Sequence, residues 1–225
     1  MPLPQSDSFL TEIKAQGLNP RYHSGMNRCL ELMMQEHELI VQVLASLQTM
    51  AQRLAEGQPV ARQDVADFGR FFRDFADKCH HGKEEDRLFV EMVEAGFPRE
   101  SGPIAVMLAE HDAGREEVRG LLAIGMGSGP LSELEKAQTI QYANEFVPLL
   151  YGHIQKENNI LYPMAQDAIA PEVFERLDRS CDAFDQSVRT RLDVAGLKKL
   201  ASDLGRKYPG NVADLAMEIG CGACH

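Results

Sequence analysis

Between residues 25 and 170 the chain alternates long amphipathic stretches with short ones rich in helix breakers. In the first stretch, about 25–56, Leu30, Met33, Ile40, Leu44, Leu47 and Leu54 recur at helical steps and define one apolar face. A second, about 62–95, carries Phe68, Phe72, Ala76, Leu88 and Met92 on a strict every-fourth-residue ladder. A third, about 104–124, presents Ile104, Met107, Val118 and Leu122, and a fourth, about 132–168, presents Phe146, Leu150, Ile160 and Met164. Gly57-Gln58-Pro59, Gly96-Phe97-Pro98 and the loop from Gly125 to Pro130 separate them. Four amphipathic helices on short loops predict an all-α fold, an antiparallel up-down-up-down four-helix bundle over 25–170. Residues 1–24 read as an irregular lead-in. Residues 171–225 read as a helical appendage, with weaker stretches at about 171–190, 194–206 and 211–219 packed on the bundle.

Polar residues interrupt the apolar stripes where a core should be. His37 sits in the middle of the first stripe and His111 in the third; His80 and Glu84 continue the ladder of the second, and His153 and Glu157 that of the fourth. Each helix thus turns one His inward, and two add a Glu one turn later. An unpaired buried carboxylate costs several kcal/mol, roughly, so two facing one core demand compensating positive charge. No basic stripe supplies it, and a metal pair would. Imidazole with carboxylate suits iron or manganese, and zinc less specifically. The second helix offers two i,i+4 pairs, His80–Glu84 and His81–Glu85. The ladder through His81, with Arg73, Asp77 and Glu85, reads as a solvated face, so His80 and Glu84 are taken into the site and His81 as a flanking residue behind it.

Composition narrows the partners. Lys and Arg number 23 against 34 Asp and Glu, a formal charge of −11, which repels a phosphate backbone and an anionic membrane surface alike. The N-terminal residues lack a basic start followed by an apolar run, and no run of about 18 uncharged apolar residues is present. A cytoplasmic protein with reduced cysteines is therefore expected, neither nucleic-acid-binding nor membrane-bound.

These residues resemble the hemerythrin-type HHE di-iron domain family. His80-His-Gly-Lys-Glu84-Glu-Asp-Arg-Leu-Phe89 is similar to the family's His-x-x-x-Glu-Glu-x-x-Leu-Phe motif, and the segments 102–111 and 153–163 resemble two further family blocks. Within the family the chain is most similar to the di-iron type implicated in repairing iron–sulfur and other iron centres after oxidative or nitrosative stress. The resemblance implies that His37 and His80 hold one iron and His111 and His153 the other. Glu84 and Glu157 would bridge them together with an oxo or hydroxo group. It implies small ligands such as O2, NO or peroxide, and an electron-donor protein as a partner. Oxygen-carrying relatives place a second His one turn after the His of the third helix, where this chain has Arg115. Two imidazoles per iron would leave both metals open to small ligands, and Arg115 becomes a candidate for steering an anion or forming a structural ion pair. The alternative function is a non-catalytic oxygen or iron sensor, carrier or store.

Cys221-Gly-Ala-Cys224-His225 matches the pattern of c-type haem attachment. A redox dithiol or metal thiolate at Cys221 and Cys224 is the first reading, an inert tail the second and haem the third. Cys29 and Cys79 read as small buried hydrophobes, and Cys181 carries no signal.

Overall fold

The computed structural model describes residues 26–215 and 217. The expected irregular lead-in over 1–24 and the Cys221–Cys224–His225 motif lie outside the described residues. Helix α1, Arg28–Ala55, starts at Asn27, whose side chain accepts from the Cys29 backbone N–H. It ends at Gly57, whose φ of 73° a side chain would resist. Helix α2 is continuous over 62–94 but not uniform: two α-helical ends, Arg62–Phe71 and Phe89–Glu94, enclose π-helical segments at Phe72–His81 and Glu84–Leu88. Gly96, at φ 103°, turns the chain into α3, Gly102–Gly125, with Pro103 in its first turn. Helix α4, over 133–168, opens on a capping box of Ser132 with Glu135 and has its own π segment at Glu157–Leu161. Among the described residues there is no strand, and the molecule is an all-α helical bundle of the hemerythrin-like type. No described helix is long and apolar enough to cross a membrane.

Helix α1 packs along α4, α4 along α3 and α3 along α2, while the π segment of α2 closes the ring against α1. Among the described residues the apolar interior falls into two large clusters and a small one of Cys79, Phe184 and Val188. One cluster runs from Ile40 to Leu54 on α1 and takes in Phe68, Phe72, Val118, Phe146 and Leu150. The other, at the opposite end, gathers Leu30, Met33, Leu88, Phe89, Met107 and Tyr162. The candidate polar residues fill the layer between them. Helices α5, Pro171–Arg189, and α6, Val194–Lys207, cover one cluster each. Phe174 and Leu177 of α5 join the second, and Leu197 and Leu204 of α6 join the first. Tyr208, just past α6, is buried and donates to Asp64 at 2.6 Å.

The cysteines differ from expectation. Cys29 and Cys181, expected as reduced thiols, are joined in a disulfide that ties the start of α1 to the middle of α5. Sequence alone gave no sign of this because 152 residues separate the pair. Around the bond, Arg28 pairs with Asp182 at 2.6 Å and the Cys29 N–H donates to Asp178 at 3.0 Å, so one face of α5 is fixed to α1. Cys79 is free and buried, and burial pushes its thiol up to about 12. Closing so long a loop restrains the unfolded chain, by about 2–5 kcal/mol for native disulfides generally. Cys181→Ser is expected to lower the denaturation midpoint by a free energy in that range and to abolish its dependence on reductant. A wild-type midpoint indifferent to reductant would show that the bond contributes nothing.

Candidate metal centre

The polar layer is built from all four bundle helices. His37 comes from α1, His80, His81 and Glu84 from α2, His111 from α3, and His153 and Glu157 from α4. All seven are buried, the two glutamates at 0 % exposure. They form two groups, each with its ligand-type atoms within 4.8 Å of one another: His37, His80, Glu84 and Glu157 in one, and His81, Glu84, His111 and His153 in the other. Glu84 is common to both. Its Oε2 lies 3.7 Å from His80 Nε2 and 3.5 Å from His111 Nε2, while its Oε1 accepts from the Tyr162 hydroxyl at 2.5 Å. Glu157 spans the groups differently, with Oε2 3.1 Å from His37 Nε2 and Oε1 3.0 Å from His153 Nε2.

The six residues singled out from sequence thus converge on one layer, and His81 joins them. Its placement on a solvated face was wrong, and the π-helical backbone is the reason. In a regular α-helix a step of four residues overshoots a full turn by about 40°, so a strict every-fourth ladder spirals away from any one face. Phe68, Phe72, Ala76, His80, Glu84, Leu88 and Met92 nonetheless all stay buried, because the wider π turns keep the ladder in register. The same widening lets His80 and the adjacent His81 both point inward. His81 stacks on the His111 ring, with centroids 3.8 Å apart and planes 13° from parallel. The imidazole that sequence comparison missed at Arg115 is therefore supplied from α2.

Each of the other four histidines is held from behind by a neighbouring helix. Glu36 of α1 takes His80 Nδ1 at 2.9 Å, Glu85 of α2 takes His111 Nδ1 at 2.7 Å, Glu110 of α3 takes His153 Nδ1 at 3.0 Å, and Asn158 of α4 faces His37 Nδ1 at 2.8 Å. An ionised carboxylate can only accept, so at His80, His111 and His153 Nδ1 carries a proton and Nε2 is the nitrogen that faces the layer. This is the arrangement by which outer carboxylates orient metal-binding imidazoles. None of the four acceptors was identified from sequence. A signal was available, since each stands next to a layer residue in the chain: Glu36 before His37, Glu85 after Glu84, Glu110 before His111, Asn158 after Glu157.

The charges expose what the layer lacks. Burial and the nearby Glu157 push the Glu84 carboxyl well above the usual range. Burial acts on Glu157 in the same sense, yet His153 and His37 hold it well below. His80 is pushed down to about 4 by burial and by His37. The Nε2 atoms of His37 and His80, Glu84 Oε2 and both oxygens of Glu157 meet imidazole and carboxylate atoms of the layer itself and no other polar group. Imidazole nitrogens and carboxylate oxygens converging in a buried layer are the donor set that a divalent or trivalent cation satisfies. The residues fit a metal.

Two outer features complete the site. Arg115 does not face the layer but clamps its supports, bonding Asp77 and Glu85 at 2.8 and 2.7 Å and Asp112 at 2.8 Å. It is the structural ion pair of the two expected roles. On the opposite side Lys83, only 1 % exposed, bridges Glu36 at 2.6 Å and Asp185 of α5 at 3.0 Å. Burial opposes its charge, but these two carboxylates hold the ammonium protonated beyond its ordinary range. An unbroken chain, Asp185–Lys83–Glu36–His80, so links the appendage to the first group. A cavity of about 230 Å³ between α2, α3 and α4 is lined by His81, His111 and His153. The first group is closed by Tyr162, which stacks on His37 at 5.5 Å.

A helical bundle with two overlapping His/Glu groups in its middle layer defines a metal-binding bundle. Residues 29–165 match the hemerythrin HHE cation binding domain, and the chain belongs to that family. It is 33% identical over 92 residues to the iron-sulfur cluster repair protein YtfE of Musicola paradisiaca, covering 40% of this chain and 41% of that protein. The proteins of the same name from Salmonella paratyphi B and Salmonella newport are each 33% identical over 88 residues, covering 38% of this chain and 40% of theirs. The aligned stretch thus spans about two fifths of these relatives' own length. No solved structure matches the chain.

Removing an outer carboxylate should act on the metal through the imidazole it orients. Glu36→Ala is expected to lower metal affinity by about 10–100-fold, measured by competition with a chelator, with helix content unchanged. Wild-type affinity in that variant would show that Glu36 does not orient His80.

Proposed function

We propose that this chain is a non-haem di-iron protein that reacts with O2, NO or peroxide in the service of iron-centre repair. Its single strongest support is the pair of buried His/Glu groups that share Glu84, their ligand-type atoms converging within 4.8 Å in each. His37 and His80 would hold one iron and His81, His111 and His153 the other, with Glu84 and Glu157 between them. Bound there, iron supplies a redox centre and a Lewis acid for small oxygen and nitrogen species. The chain's own residues set the conditions. Glu36, Glu85 and Glu110 keep the Nδ1 protons outward, the two apolar cores exclude water above and below, and the cavity leads small molecules to the three-imidazole side. That cavity replaces the expectation of equal access to both metals. The repair role comes from the relatives' names and carries over as part of the proposal, as does a cytoplasmic setting, where the Cys29–Cys181 bond would be exposed to reductants.

A sensor or store is the second reading, favoured by the Asp185–Lys83–Glu36–His80 chain, which would transmit the state of the first group to α5. Turnover separates the two. Protein with two irons per chain, reduced and given NO or peroxide with a continuing electron supply, is expected to consume many equivalents, whereas a sensor or store stops at stoichiometric binding.

Metal content decides whether either reading survives. Elemental analysis is expected to find two irons per chain, and stripping them should lower the melting temperature, since Glu84 and Glu157 then face each other uncompensated. Equal melting temperatures with and without iron, or iron binding unchanged in Glu84→Ala, would remove the proposed centre.

A further inference from the structure

The cavity beside the second group is far larger than a diatomic gas or peroxide needs. It measures about 230 Å³, against about 30 Å³ for one water in the liquid, a volume of the same order as those small oxidants. A dry apolar cavity of about 150 Å³ is already enough to take up benzene. The walls are apolar: Phe72, Val118, Phe146 and Leu150 are buried there, and the imidazoles of the second group form the floor. Gly114 lies on the wall within the interior of α3. A glycine there weakens a helix by roughly 0.5–1 kcal/mol relative to alanine, and a Cβ would meet only the edge of Phe146, at 3.3 Å. The absent side chain leaves room rather than permitting a turn.

Three arginines stand at the rim, but none is free to receive an anion. Arg73 is bonded to Asp74, Arg115 to Asp77, Glu85 and Asp112, and Arg119 to Glu116. The rim carboxylates are equally committed, Asp77 to Arg115 and Glu110 to His153 and Lys156. Along the apolar walls an ion of either sign would meet no unpaired counter-charge, and at the floor a cation would also face the like charge of the iron-bearing group.

We propose that this cavity binds an uncharged, apolar organic molecule of about one substituted ring, held against His81, His111 and His153. This rests on the reading above only in placing the occupant beside an iron-bearing group; the binding itself follows from volume, lining and charge. The class of molecule distinguishes the chain from a protein serving O2 or NO alone, because a second substrate, or an occupant that gates access to the metal, would sit where the small ligands must pass.

The test uses full-length iron-loaded protein and fluorobenzene, followed by fluorine NMR. Saturable binding is expected, with the cationic 4-fluorobenzylammonium at least ten-fold weaker. Gly114→Leu and Val118→Phe, which fill the space from successive turns of α3, should each weaken fluorobenzene at least ten-fold while keeping iron content. Without relying on any variant, crystals exposed to bromobenzene should place bromine in the cavity by anomalous scattering. Unsaturable binding, equal affinity for the ammonium, undiminished binding in folded filled variants, or bromine only elsewhere would overturn the proposal. NO binding is read on the same samples. Its loss with fluorobenzene binding retained counts against the iron reading alone, and the reverse counts against the cavity assignment alone.

Discussion

Two carboxylates, Glu84 and Glu157, are buried to 0 % exposure between two apolar cores, and the rest of the structure answers to that constraint. Removing such groups from water costs several kcal/mol each, roughly, unless positive charge and hydrogen bonds replace the lost solvation. The protein surrounds them with five imidazoles and one tyrosine hydroxyl and with no Lys or Arg. A hydrophobic layer of the same shape would fold more cheaply. Division of the interior into two clusters is the structural mark of a chain that keeps this layer for chemistry.

The layer is made rigid by a circular arrangement. Each bundle helix contributes a histidine and, one residue from a layer position, an acceptor that reaches the histidine of the next helix: α1 serves α2, α2 serves α3, α3 serves α4, and α4 returns to α1. No helix can rotate or slide without misdirecting an imidazole on its neighbour as well as its own. Arg115 and Lys83 extend the restraint outward, one by fixing Glu85 and the other by joining Glu36 to α5. His81 has no comparable support, with Asp77 at 3.6 Å from its Nδ1. It is positioned instead by stacking on His111, which makes it the least constrained of the three imidazoles that line the cavity.

Helix spacing and breakers were enough to read the all-α bundle, because amphipathic periodicity and short loops leave few alternatives. The polar residues inside the stripes were legible for the same reason: an ionisable group on a core face contradicts its surroundings. His81 was not, since the argument assumed a uniform helical period. The every-fourth ladder from Phe68 to Met92 held the contrary signal, as only a widened helix keeps it on one side. The outer acceptors escaped notice because each lies on a different helix from its histidine, and such a pairing depends on packing. The Cys29–Cys181 bond escaped for the same cause at greater distance.

Helix α5 makes the site larger than the bundle. Cys181, Phe184 and Asp185 lie on one of its faces, and all three act on the layer's surroundings. The disulfide fixes that face to α1 next to the residues leading to Glu36 and His37. Phe184 lies where a Cβ on Gly82 would have to be, 2.9 Å away, so α5 presses directly on the turn between His81 and Lys83. Asp185 supplies half the counter-charge that lets Lys83 remain buried and protonated. A bundle ending near residue 170 would keep every candidate ligand yet leave Lys83 with one carboxylate instead of two and Gly82 with no cover. The first group would then lose the restraint that sets Glu36 against His80. The region read from sequence as an appendage is, in physical terms, the outer wall of the centre.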